Sequence, residues 1–189
     1  MASDSKQALR RHYRQERRRA GDAAADGIAR AAATALPALL AQGRHLGLYW
    51  PIGDEPDLRA LSDTLPTDQR LLALPAVQDG QLHYRPWRPG DALATDACGI
   101  PAPAEPRVLA AAELGLLLVP ALALDRRGIR LGYGGGWFDR LRSDPAWRRV
   151  PALAVLPQAC LVEQLPADPW DVPFDGWLDE CGLHWLQAV

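Results

Sequence analysis

Lysine is nearly absent from this chain. Of its 21 basic residues only Lys6 is a lysine, and the others are arginine. No Gly-Lys pair occurs, which excludes a Walker A phosphate loop, and Trp137 stands where a third glycine counted from Gly132 would complete a dinucleotide fingerprint. Cysteine is scarce too: Cys98, Cys160 and Cys181 are odd in number and far apart, and His12, His45, His83 and His184 form no ligand spacing. A structural zinc site or disulfide framework is therefore not expected, and any metal would be held by oxygen. No apolar run approaches the length of a membrane span, and the opening M-A-S-D-S-K leads into no signal-type apolar core, so the expected location is the cytoplasm. A net charge of -2 gives no general attraction to nucleic acid or membrane. Only Arg10, Arg11, Arg14, Arg17, Arg18 and Arg19 crowd together, where a weak polyanion contact stays open.

What the chain does contain is concentrated in Val119 to Arg142. An apolar run ending at Val119 reads as a buried strand, and a loop with five glycines between 128 and 136 leads into a helical pattern opening at Trp137. Backbone without side chains can fold around an oxyanion and present N–H groups to it, and a helix N-terminus favours negative charge. Arg130 brings a permanent cation into the loop, and Asp139 is a hard oxygen ligand nine residues on, so nucleotide with Mg²⁺ is the first reading. A tight structural turn is the competing one.

Three further blocks carry chemistry. Lys6 and Arg10 are spaced i,i+4 in a segment free of Gly and Pro from Ala2 to Ala20, so on a helix they share one face about 6 Å apart and could grip the phosphates of one nucleotide. A solvated basic helix is the plain alternative. In L-G-L-Y-W-P-I-G-D-E-P-D-L a strand ends in a loop where Trp50 and Glu55 could hold a flat heterocycle, or where the acids merely cap a helix at 56–65. In D-P-W-D-V-P-F-D-G, Asp171 and Asp175 are ligands or turn formers.

The string R-L-G-Y-G-G-G-W-F-D-R after its P-x-L-x-x-D-x-x-G lead-in resembles the ATP-binding signature of the 5-formyltetrahydrofolate cyclo-ligase family, also called methenyltetrahydrofolate synthetases. The other blocks follow in the family's order. The resemblance implies that Lys6, Arg10, Arg130, Leu131, Gly132, Tyr133, Gly134, Gly135, Gly136, Trp137 and Phe138 bind ATP, with Lys6 and Arg130 acting in catalysis. It implies that Trp50, Glu55, Tyr133, Gly134, Gly135, Gly136 and Trp137 contact the folate. Asp139 and Asp171 would hold Mg²⁺, Asp175 would open the last strands, and Gln158 matches a family glutamine. The implied reaction is ATP-driven conversion of 5-formyltetrahydrofolate to 5,10-methenyltetrahydrofolate with release of ADP and phosphate. Members commonly carry tyrosines where this chain has Trp137 and Phe138, and phenylalanine where it has Leu124.

At 189 residues and 48% hydrophobic the chain is sized for one domain, 1–189, with an ample core and no internal repeat. The patterning predicts helices at 3–19, 22–41, 56–65, 108–113 and 134–143. Strands are expected near 45–50, 71–75, 82–86, 115–119 and 151–156, with short edge strands after 174. The Pro-rich stretch 86–106 reads as a loop over the site. The fold class expected is α/β, a three-layer α/β/α sandwich around a mostly parallel or mixed sheet, resembling the ribose-phosphate isomerase and CoA-transferase group. A monomer is expected. Two other classes stay open: a folate- or nucleotide-binding module without turnover, and a sugar-phosphate isomerase or acyl-CoA transferase.

Overall fold

The structure, a computed structural model, describes residues 2–40 and 42–186. A long helix, α1 (Ala2–Ala35), is bent at Gly21, whose φ of 64° lies outside helical space. The bend falls between the two helices predicted there, and the second half stops at Ala35 rather than 41. Pro37 is the cause: its ring cannot continue an α-helix, and Leu36–Ala38 tightens into a 3-10 turn.

The chain then forms β1 (His45–Gly47), the one-turn helix α2 (Leu61–Thr64), β2 (Leu72–Gln78), β3 (Gln81–Trp87) and a small ribbon of β4 (Leu93–Thr95) and β5 (Pro101–Pro103). Next come β6 (Leu114–Pro120), β7 (Ala123–Asp125), β8 (Arg130–Leu131), α3 (Trp137–Ser143) and α4 (Pro145–Arg148). The last elements are β9 (Ala152–Val155), β10 (Leu161–Val162), β11 (Gly176–Asp179) and β12 (Gly182–Trp185).

Seven strands build the main sheet in the order β12-β11-β9-β6-β1-β2-β3. The five inner strands run parallel, and an antiparallel strand closes each edge. Parallel strands need covered faces, and alternation along β6 shows how they are covered. Leu116 and Leu118 point into a core with Ile28, Ala32 and Leu36, whereas Leu117 and Val119 point into a second core with Leu141 and Val150. Helix, sheet and helix make three layers, as expected. Each fully buried leucine contributes about 1.5 to 3 kcal/mol.

Several predicted elements are shorter, for local reasons. The helix expected at 56–65 is reduced to α2 because Asp57 Oδ1 accepts the Arg59 N–H at 3.0 Å and the Arg59 Nε at 2.9 Å, a local bond that competes with helix formation. At 108–113 only a 3-10 turn, Ala111–Glu113, forms, with the Glu113 carboxylate 2.8 Å from the Ala110 N–H. The helix expected from 134 starts at Trp137, since Gly134 and Gly136 have φ of 107° and 63°. The stretch 86–106 is not a plain loop. Its β4–β5 ribbon is pinned to β2 by Asp96, which accepts N–H bonds from Val77, Cys98 and Ile100.

Gly47 illustrates how tightly β1 is packed. A Cβ there would lie 2.6 Å from Leu117 Cδ2 and 2.9 Å from Tyr84 Cε1, both on fully buried side chains. Gly47→Ala is expected to lower stability by about 1 to 3 kcal/mol through overpacking, read as a lower thermal midpoint.

Candidate active site

In an open α/β sheet the carboxyl ends of the parallel strands leave a crevice where ligands settle. Here Tyr49 and Trp50 follow β1, Pro75 and Val77 lie on β2, and Pro120 ends β6, and together they line a cleft of 690 Å³. The glycine loop 132–136, Leu131, Trp137, Phe138, Lys6, Arg10, Glu55, Arg130, Asp139 and Asp171 line the same space. Every residue the sequence assigned to nucleotide, folate or metal is therefore at one cleft. The outlier is Gln158, which is exposed and is not among the lining residues.

The loop is shaped from beneath by Asp125, whose carboxylate accepts N–H bonds from Arg127, Ile129 and Leu165. Burial works against its charge, yet these bonds and the Arg127 guanidinium outweigh it and hold its pKa below the ordinary value. The turn so formed feeds β8, which pairs antiparallel with β7 and delivers Arg130.

Arg130 is almost fully buried. Its Nη1 donates to the Pro120 carbonyl at 3.2 Å, its Nη2 lies 3.6 Å from Asp139 Oδ2, and its guanidinium sits 5.4 Å from the ring centres of both Phe138 and Phe174. Its Nε has no partner. Burial lowers its pKa, opposed by Asp139, Asp171 and Glu55. A Cβ at position 132 would fall 2.5 Å from Arg130 Nη1, so glycine is what leaves room for this cation.

α1 places Lys6 and Arg10 on one face, as their spacing predicted. Lys6 Nζ is 2.7 Å from Asp168 Oδ2 and 2.7 Å from Asp171 Oδ2, and Arg10 Nε donates to the Gly132 carbonyl at 3.0 Å. Burial acts to lower the Lys6 pKa, but the two carboxylates overcome it and leave it raised. The turn 168–171 closes on itself through Asp171 N–H to the Asp168 carbonyl and Asp168 N–H to Asp171 Oδ2. Asp175 opens β11 and acts structurally, accepting from Ala152 N–H at 2.8 Å and Arg142 at 3.2 Å.

On the Trp50 side, the Arg59 guanidinium covers the indole at 4.0 Å from its ring centre. Glu55 is buried; its Oε2 accepts the Ile52 N–H at 2.9 Å, while Oε1 has no hydrogen-bond partner and lies 4.0 Å from Arg17 Nη1. Burial raises the Glu55 pKa against the pull of the Ile52 N–H, Arg17, Tyr133 and Arg130.

The sequence reading missed Arg17, Asp168, Trp170 and the Asp96, Cys98 and Ile100 edge of the cleft. For Arg17 a signal existed: Lys6, Arg10, Tyr13 and Arg17 recur at intervals of four, three and four, one face of a helix. Among the described residues, no cluster of three or more His, Cys, Asp or Glu is arranged to hold a metal, and no helix is long and apolar enough to cross a membrane.

The chain is 35% identical over 180 residues to the 5-formyltetrahydrofolate cyclo-ligase of Mycolicibacterium smegmatis, covering 91% of this chain and 92% of that one. The NMR structure of Aquifex aeolicus 5,10-methenyltetrahydrofolate synthetase superposes with a TM-score of 0.73 at 27% identity, covering 100% and 94% of the two chains. The Mycoplasma pneumoniae 5,10-methenyltetrahydrofolate synthetase, at 21% identity and a TM-score of 0.71 over 93% and 98%, shares the fold. Residues 2–179 match the sequence profile of the 5-formyltetrahydrofolate cyclo-ligase family, and the chain belongs to that family.

Proposed function

We propose that this chain is a one-domain, monomeric, cytoplasmic enzyme that uses ATP and Mg²⁺ to convert 5-formyltetrahydrofolate to 5,10-methenyltetrahydrofolate, releasing ADP and phosphate. The observation that carries this reading is the gathering of Lys6, Arg10, Arg130 and the glycine loop in the same cleft as Trp50 and Glu55.

A formamide oxygen is a poor leaving group. Transfer of the γ-phosphoryl group to it gives a phosphorylated imidate, which N10 of the same molecule attacks before phosphate departs. The second step gains from proximity, and the first demands alignment and charge neutralisation. Lys6, Arg10 and Arg130 bring fixed cations to the phosphates, and the amides from Gly132 to Gly136 bring N–H donors. Asp139 and Asp171 suit Mg²⁺: both are carboxylates lining the cleft, and each already faces a cation, Arg130 or Lys6, where it would face the ion. When bound, Mg²⁺ supplies further neutralisation of phosphate charge. Trp137 and Phe138 add apolar surface that keeps water from the imidate.

Glu55 Oε1, buried without a partner, suits the amino-bearing edge of a pterin. Glu55→Gln is expected to weaken 5-formyltetrahydrofolate binding by about tenfold and spare ATP, since hydrogen bonds to a charged acceptor contribute about 1.5 to 3 kcal/mol. Calorimetry with each ligand checks this, and equal losses for both would make the 51–57 loop a general structural element. One observation favours a second reading, a binding module without turnover: neither Trp137 nor Phe138 offers a hydroxyl. A stoichiometry of one ADP formed per folate consumed decides for the enzyme, and ligand binding without ADP decides for the module.

A further inference from the structure

Arg17 is buried to 4% exposure within the basic run of α1. Its Nη2 donates to the Tyr133 hydroxyl, its Nη1 stands 4.0 Å from Glu55 Oε1, and its guanidinium lies 5.5 Å from the Tyr133 ring centre. Two of its nitrogens, Nε and Nη1, have no hydrogen-bond acceptor, and Glu55 Oε1 has no donor. A buried cation with unused donors beside a buried carboxylate with an unused oxygen is costly if it serves packing alone. It is useful if a polar ligand completes the set.

The bonding also has a direction. A tyrosine oxygen that accepts from Arg17 turns its own proton elsewhere, and guanidinium can only donate. The Tyr133 hydroxyl is thereby left to donate toward Glu55 or toward a ligand, while Glu55 is left to accept. Tyr133 and Glu55 both line the cleft and Arg17 stands behind them. The groups facing the Glu55 carboxylate are Arg17 from α1, Tyr133 from the glycine loop, Arg130 from β8 and Tyr49 beyond β1. Of the two cations among them, Arg17 is the one that forms an ion pair with Glu55, at 4.0 Å.

We propose that Arg17 is a positioning residue for the folate, holding Glu55 charged as an acceptor and orienting the Tyr133 hydroxyl as a donor. This rests on the folate reading of the cleft. It assigns to the chain's own first helix a role at the heterocycle as well as at the phosphates, with Lys6, Arg10 and Arg17 spread along one helical face. Burial alone pushes Glu55 toward its protonated form, and Arg17 opposes that push.

The test is 5-formyltetrahydrofolate affinity between pH 5 and 8 in the wild-type chain, Arg17→Gln and Arg17→Lys, with thermal melts to show that each folds. The carboxylate is the binding form, so affinity falls as pH drops through the raised Glu55 value. Arg17→Gln is expected to weaken binding about tenfold at pH 7 and to move this fall to higher pH, with ATP affinity unchanged. Arg17→Lys returns the charge and is expected to restore the position of the fall, though not all the affinity. Adding Arg17→Gln to Glu55→Gln should cost less than the sum of the two, as for coupled neighbours. If Arg17→Gln does not fold, Tyr133→Phe is expected to weaken folate binding several-fold on its own. An unmoved pH profile in folded Arg17→Gln, an equal loss of ATP affinity, or neutral Tyr133→Phe would overturn the role. Absence of folate binding by the wild-type chain would overturn it together with the proposed function.

Discussion

Asp139→Asn is expected to lower turnover by at least about a hundredfold, equivalent to roughly 2.7 kcal/mol of transition-state stabilisation. The substitution keeps size and hydrogen-bonding reach and removes one charge. Asp139 sits on the first turn of α3, at the end of the glycine loop, with Oδ2 3.6 Å from Arg130 and Oδ1 3.5 Å from the Val172 N–H. Both contacts are long, so the protein itself gains little from this charge, and its loss should barely change the thermal midpoint. The charge is needed when an ion and a triphosphate arrive. Turnover should fall most steeply at limiting Mg²⁺, and a value within a few-fold of wild type there would contradict the metal assignment.

Lys6→Ala is expected to lower kcat/KM for ATP by about a hundredfold while leaving the folate KM near wild type. The structure adds a second consequence. Without the ammonium, Asp168 and Asp171 lose the cation that both contact at 2.7 Å. The three side chains are partly exposed, so the stability lost should stay near about 1 kcal/mol rather than the larger cost of a fully buried pair. Lys6→Arg should be intermediate for ATP, because charge returns but a planar fork replaces a point charge. A lowered thermal midpoint with unchanged ATP kinetics in both variants would mean that Lys6 only ties α1 to the 168–171 turn.

These residues were legible in the sequence to the extent that their signals are local. Lys6 and Arg10 are one helical turn apart, four glycines fall within the five residues 132–136, and the apolar run of β6 declares a buried strand. The partner of Lys6 was not legible as a pair, because Asp168 lies 162 residues away and only the fold brings it near. The same holds for Arg17 and Tyr133, 116 residues apart. The ribbon β4–β5 was read as loop since prolines suppress the strand signal, and its pairing rests on Asp96 gathering three N–H groups. The helix at 56–65 failed for the opposite reason: a bond within three residues, Asp57 to Arg59, overrode a longer pattern.

The central claim is that the cleft couples ATP cleavage to closure of a folate ring. The most direct measurement is the ultraviolet absorbance of the methenyl product when the chain is mixed with 5-formyltetrahydrofolate, ATP and Mg²⁺, with each of the three omitted in turn. The account predicts that absorbance grows only in the complete mixture, at a rate that Asp139→Asn lowers at least about a hundredfold. Product growth without ATP, or none in the complete mixture while both ligands bind, would contradict it.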